Sequence, residues 1–225
     1  MAHADKPNRK KTIAFGVVLL AVMFVAYGGW RLGQSGSPAS SLASALLAGS
    51  PPTLGSTNAS VTIVEFGDYQ CPTCEGWYNT QEAFLVQSLV DTGKAKLVWR
   101  DFDFYGPDSV LASKAAYAAG DQGMFWRFHD LLFQNQRTPN GGWASRQNLI
   151  KFAQQLGLNM TEFNQDFNGG KYDPLIDTNH SLGVQAGVTQ TPTFFLVGPN
   201  GKIVTIAGPQ PESVFEQAVA QLTSG

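Results

Sequence analysis

The chain of 225 residues holds two cysteines, and they stand three positions apart in Cys71-Pro72-Thr73-Cys74. A disulfide across so short a loop is a poor staple, worth about 2 kcal/mol in the chain-entropy model before any native-state strain. Two thiols one helical turn apart can instead form, break and exchange a disulfide at little cost, which makes them a redox couple. Half of a zinc site and a pair of idle thiols are the competing readings. Zinc needs four ligands, and the three histidines (His3, His129, His180) show no paired ligand spacing. No metal and no other cofactor is expected.

Exchange requires a thiolate, so the elements around the pair matter. Val61-Thr62-Ile63-Val64-Glu65-Phe66 is apolar and β-branched, as a buried central strand is. Pro72 suits the first turn of a helix, where its missing N–H is no loss. Cys71 then sits where free backbone N–H groups and the helix dipole favour an anion, which predicts a pKa below that of a free thiol. Cys74, one turn deeper, is the shielded thiol that resolves the mixed disulfide.

Further along, apolar spacing predicts a strand over 96–101 and helices over 109–119, 124–133, 146–156, 161–167 and 173–186. Two strands follow, 193–197 and 202–207, separated by Gly198-Pro199-Asn200-Gly201, and a helix over 211–222 closes the chain. The order is β-α-β, a helical block, then β-β-α.

That order, with a dithiol opening the first helix, resembles the thioredoxin superfamily, and the helical insertion (about 105–187) resembles its DsbA-type branch. Glu65-Phe66-Gly67-Asp68-Tyr69-Gln70-Cys71-Pro72-Thr73-Cys74 is similar to the active-site segment of that branch, and Val188-Thr189-Gln190-Thr191-Pro192-Thr193-Phe194-Phe195 to its second signature. The resemblance implies an α/β thioredoxin fold over residues 61–225 and thiol–disulfide oxidoreductase activity. It implies a cis Thr191-Pro192 bond beside the dithiol, with the Thr191 backbone free to pair with an extended substrate. Pro72 and Thr73 are the further substrate-contacting residues. Glu65 matches the acidic residue beneath the dithiol that moves a proton to or from the deeper cysteine, a task that burial suits by raising a carboxyl pKa. A strand-end glutamate facing water is the bland alternative. Asp68 is read as a helix cap whose charge opposes thiolate formation. Trp77, Phe125 and Trp126 are read as core, and His129 as a satisfied helix histidine. Pro-Thr between the cysteines lacks the histidine of strongly oxidising members, so Cys71 is expected to ionise between thioredoxin (about 7) and DsbA (about 3.5).

Before the domain, Lys6, Arg9, Lys10 and Lys11 precede an uncharged run, residues 12–30, about 28 Å long as a helix. The favoured reading is a single-pass signal-anchor, with a basic cytoplasmic segment (1–11) and a C-terminal domain on the extracytoplasmic side of the cell membrane. A cleaved signal peptide is the alternative, though its apolar region is usually about 7–15 residues. Residues 31–60, rich in Gly, Ser, Ala, Pro and Thr, are expected to form a flexible tether. A short helix near 41–47 would be marginal alone.

With a net charge of −2 and no basic stripe in the domain, nucleic-acid binding is excluded. The expected partners are reduced or misoxidised exported proteins, together with a membrane redox partner, such as a quinone-linked reoxidase. Disulfide donation leads. A thiol reductase or isomerase is the second enzyme reading, and a binding or chaperone module the reading from another class.

Overall fold

The run Val61–Gly67 forms β2, the central strand, and every one of its residues is buried. In this computed structural model, which describes residues 38–224, β2 pairs in parallel with β3 (Ala95–Asp101) and antiparallel with β4 (Thr193–Val197). β5 (Ile203–Ala207) extends the sheet beyond β4, and the two-residue β1 (Thr53–Leu54) lies against β3, giving the order β1-β3-β2-β4-β5. A strand with neighbours on both sides and layers on both faces has no wet side, so it reads as continuously apolar.

The alternation of β2 divides the core. Val61 and Ile63 pack with Phe194, Leu85, Leu89 and Phe215 on one face. Val64 and Phe66 pack with Phe195, Phe102 and Leu182 on the other. After β2 the active-site helix starts as Pro72–Trp77 and continues through a π-helical turn, Tyr78–Glu82, then Ala83–Leu85 and a second π turn, Val86–Val90. A π turn brings residues five apart onto one face, so Trp77 and Glu82 both point inward and are buried.

Five helices intervene between β3 and β4: Pro107–Gly120, Phe125–Gln134, Arg146–Gln155, Met160–Asn168 and Asp173–Gln185. Their boundaries follow the apolar spacing to within a residue or two. Met160–Asn168 begins earlier than expected because the Asn159 side chain accepts from the backbone N–H groups of Thr161 and Glu162. Glu212–Thr223 closes the described chain.

Two expectations are corrected. Part of the expected tether is structured: Pro38–Leu47 is helical, Leu46 is fully buried, and Thr53–Leu54 pairs with β3. A helix this short is marginal alone. It persists by seating Leu46 on the Val64–Phe195 face and by receiving hydrogen bonds from the Arg100 guanidinium at the Leu46 (3.0 Å) and Ala48 (2.5 Å) carbonyls. The fold class is also corrected in its membrane part, since no helix among the described residues is long and apolar enough to cross a membrane. The alanine-rich Pro107–Gly120, for instance, has 14 residues, about 21 Å against a hydrocarbon core of roughly 30 Å. The expected span at 12–30 and the basic segment 1–11 lie outside the described residues.

Candidate active site

Cys71 is the N-cap of the active-site helix and makes no side-chain cap hydrogen bond. Its N–H donates to the Asp68 carbonyl at 3.0 Å, and its own carbonyl accepts from Glu75 N at 3.1 Å. Both cysteines are free thiols, 2% (Cys71) and 1% (Cys74) exposed, while Pro72 and Thr73 between them are open to solvent. The two sulfurs are driven apart electrostatically. A hydrogen bond from the Cys74 thiol, aided by the Thr191 side chain and the N–H groups of Cys74 and Thr73, brings Cys71 down to about 5 against the opposing effect of burial. Burial first, then Cys71 and the charge of Glu65, push Cys74 well above the usual thiol range. The Cys71 value falls between the thioredoxin and DsbA figures, as expected. Its leading cause differs: the neighbouring thiol contributes most, and the backbone amides only add to it.

The Thr191–Pro192 bond is cis. The Thr191 carbonyl lies 3.4 Å from Cys71 Sγ, a contact that suits the thiol form. The Thr191 hydroxyl is buried with no hydrogen-bond partner among the described residues, and the Thr191 side chain favours the thiolate instead. Thr193 Oγ1 donates to the Gln190 carbonyl at 2.7 Å, tying the loop to the start of β4. The sheet thus brings Cys71, Cys74, Thr191 and Pro192 together from segments far apart in sequence.

Glu65, on β2 between Trp99 and Phe194, does not face water: it is 2% exposed. Burial and, after it, the charge of Glu82 raise its pKa well above the carboxylate range. Asp68 is not a helix cap. Its Oδ1 accepts from Gln70 N at 2.8 Å, and its Oδ2 from Phe104 N (2.9 Å) and Tyr105 N (3.1 Å). It therefore pins the loop after β3 to the active-site turn. Gln70 adds a second clasp, donating to Ser109 Oγ (3.1 Å) and Asn140 Oδ1 (3.2 Å) while accepting from Asn140 N (2.7 Å).

Trp77 and Phe125 are core residues, and Trp126 is partly buried. His129 is fully buried, but only half satisfied. Its Nδ1 is 3.1 Å from the Tyr69 hydroxyl, whereas Nε2 has no hydrogen bond. Two residues at the site escaped the sequence reading. Tyr105 lies near enough to Cys71 to feel it: its phenol pKa is raised, by burial first and then by the charge on that sulfur. Glu82 is a charged residue on the inward stripe of the active-site helix, with Cys74, Trp77, Leu85 and Leu89. That misplaced charge was the available signal.

A family model described as Thioredoxin matches residues 48–219. The chain belongs to the thioredoxin family. Disulfide bond formation protein D of Bacillus subtilis is 27% identical over 156 residues, covering 68% of this chain and 69% of that protein. Na(+)/H(+) antiporter NhaA 1 of Salinispora arenicola is 33% identical over 146 residues, covering 64% of this chain but only 21% of the antiporter. Among solved structures, a thioredoxin-like oxidoreductase from Silicibacter pomeroyi DSS-3 superposes with a TM-score of 0.68 at 26% identity, covering 84% of this chain and 99% of that one. Oxidised BdbD from Bacillus subtilis has a TM-score of 0.69 at 24% identity, covering 78% and 94%. This thioredoxin-family chain is a DsbA-like thiol–disulfide oxidoreductase.

Proposed function

We propose that this oxidoreductase works outside the cytoplasm and donates its Cys71–Cys74 disulfide to newly exported proteins. The observation that carries the reading is the opposed ionisation of the two thiols, with Cys71 near 5 and Cys74 held protonated. A thiol that ionises easily is a good leaving group, so a disulfide built on Cys71 is readily passed on. A substrate thiolate attacks Cys71 Sγ, the enzyme disulfide breaks, and Cys74 leaves as a thiolate that takes a proton from Glu65. A second substrate thiolate then attacks the substrate sulfur of the mixed disulfide and releases Cys71 as a thiolate. The substrate loses two electrons and the enzyme gains them, and a quinone-linked membrane partner takes them on. The substrate lies extended across Pro72 and Thr73 against the Thr191 backbone, with Pro192 leaving no N–H donor aimed at the sulfurs.

The test is disulfide formation in a reduced protein substrate. Cys71→Ser abolishes turnover and Cys74→Ser accumulates mixed disulfides. A binding or chaperone module would be indifferent to either change. Ultraviolet titration of the reduced enzyme finds Cys71 ionising near 5. In a glutathione buffer the expected reduction potential is nearer to about −120 mV than to about −270 mV. A value at the lower end reverses the direction in favour of a reductase.

A further inference from the structure

Behind the dithiol, Glu65 Oε2, Glu82 Oε2 and His129 Nε2 are all buried with no hydrogen-bond partner among the described residues. Folded interiors leave few such atoms, and these three come from the active-site helix and two other elements of the fold. Glu65 lies on β2, Glu82 ends the first π turn of the active-site helix, and His129 lies in Phe125–Gln134. His129 Nε2 stands 3.6 Å from Glu82 Oε1, while the Tyr69 hydroxyl holds the other ring nitrogen at 3.1 Å. Trp99 and Trp126 pack against the imidazole at 4.9 and 5.1 Å between centroids. The ring is fixed, with one nitrogen directed at Glu82.

Glu82 also forms part of the wall of a surface groove of about 470 Å³, with Tyr78, Trp126, Asp130 and Gln134. Cys71, Cys74, Thr191 and Pro192 are not among the residues that line it. The groove therefore gives Glu82 an opening to solvent apart from the dithiol.

We propose that Glu82 is the outer station of a proton relay serving Cys74: as Glu65 protonates the leaving Cys74, Glu82 passes a proton from this groove to Glu65, with His129 holding its carboxyl in place. The proposal rests on the reading of Glu65 as the proton partner of Cys74. Each time Cys74 leaves as a thiolate, Glu65 gives up one proton and becomes a buried carboxylate. The relay replaces that proton while the substrate still covers the face bearing Cys71, and a separate mouth lets exchange continue. The couplings run in this order, since the charge of Glu65 acts on Cys74 and the charge of Glu82 acts on Glu65. The other titratable groups facing the path are Cys71 beside Cys74, Tyr69 behind His129, and the hydrogen-bonded pair Tyr78–Asp130 (3.1 Å) at the groove.

The experiment follows single-turnover oxidation of a reduced protein substrate by the full chain, using tryptophan fluorescence, across pH and in heavy water. Glu82→Gln is expected to slow the Cys74 step by about 10-fold, flatten its pH profile and enlarge the solvent isotope effect, with Glu82→Asp restoring most of the rate. If Glu82→Gln keeps the wild-type rate and profile while Glu65→Gln is slow, the relay is refuted and the role of Glu65 stands. If neither variant is slow, both fail. A uniform slowing with unchanged pH and isotope dependence also refutes the relay, because it marks a structural role alone. Should Glu82→Gln not fold, carbon-13 titration of the wild-type glutamate carboxyls decides the matter. A Glu82 midpoint that moves between oxidised and reduced protein supports the relay, and one that stays overturns it.

Discussion

Glu65 on β2 and Asp101 at the end of the neighbouring β3 are both buried acids, 2% and 0% exposed. Asp101 accepts hydrogen bonds from Trp99 Nε1 (3.0 Å), Tyr117 Oη (2.5 Å) and Asn179 Nδ2 (3.0 Å), and Arg100 holds Asn179 Oδ1 from the other side at 2.9 Å. Glu65 has an oxygen with no donor, and a second carboxyl is the charge that acts on it. One acid is a fastening that ties β3 to Pro107–Gly120 and Asp173–Gln185. The other sits where burial and a neighbouring carboxyl disfavour its charged form, which brings its ionisation up into the range of a group that gains and loses a proton in use. Burial alone does not distinguish a structural carboxyl from a working one. The supply of donors does.

The largest expected effect is at the fastening. Asp101→Ala leaves the buried Trp99 Nε1 and Tyr117 hydroxyl donors unpaired, with Asn179 Nδ2 keeping only the Tyr117 oxygen (3.0 Å), and is expected to cost about 3–5 kcal/mol in denaturant unfolding. Its exchange rate per folded molecule should be close to wild type. A slow but stable Asp101→Ala protein would erase the contrast.

Glu65→Gln is expected to behave in the opposite way, slowing the Cys74 step by about 100-fold while strengthening the fold at neutral pH. The folded pKa of Glu65 is raised, by burial first and then by Glu82. Its stabilising protonated form is therefore fully present below the ordinary carboxylate range and is lost as pH rises toward the folded value. Unfolding midpoints at pH 5 and pH 8 should converge in Glu65→Gln relative to wild type. An undiminished decline would place the titration elsewhere.

A smaller effect separates packing from proton chemistry. A Cβ at Gly67 would stand 2.3 Å from the buried Trp99 ring, which stacks on Tyr69 at 4.7 Å. Gly67→Ala is expected to cost about 1–3 kcal/mol through overpacking, with the pH profile of exchange unchanged. A shifted profile would mean that the ring positions the relay through His129.

Much of this was legible locally. The strands Val61–Gly67 and Thr193–Val197 and the five inserted helices follow from apolar period, and Cys71-Pro72-Thr73-Cys74 marks the helix start where the nucleophile sits. The docking of Pro38–Leu47 was not legible, because its stability lies in a face made by β2 and β4 and in an arginine on β3. Asp68 was misread for a similar reason: its hydrogen-bond donors include the N–H groups of Phe104 and Tyr105, which lie beyond β3.

The amino-acid order by itself determined the elements, the dithiol and the proline that meets it, because propensity, period and turn chemistry act over a few residues. Only the tertiary structure decided how the thiols ionise and which buried acids are satisfied. Those properties depend on what stands within a few ångströms, and here the neighbours come from opposite ends of the domain. Glu65 meets the influence of Glu82, and Glu82 meets His129, only after the sheet and the inserted helices have closed around the active-site helix.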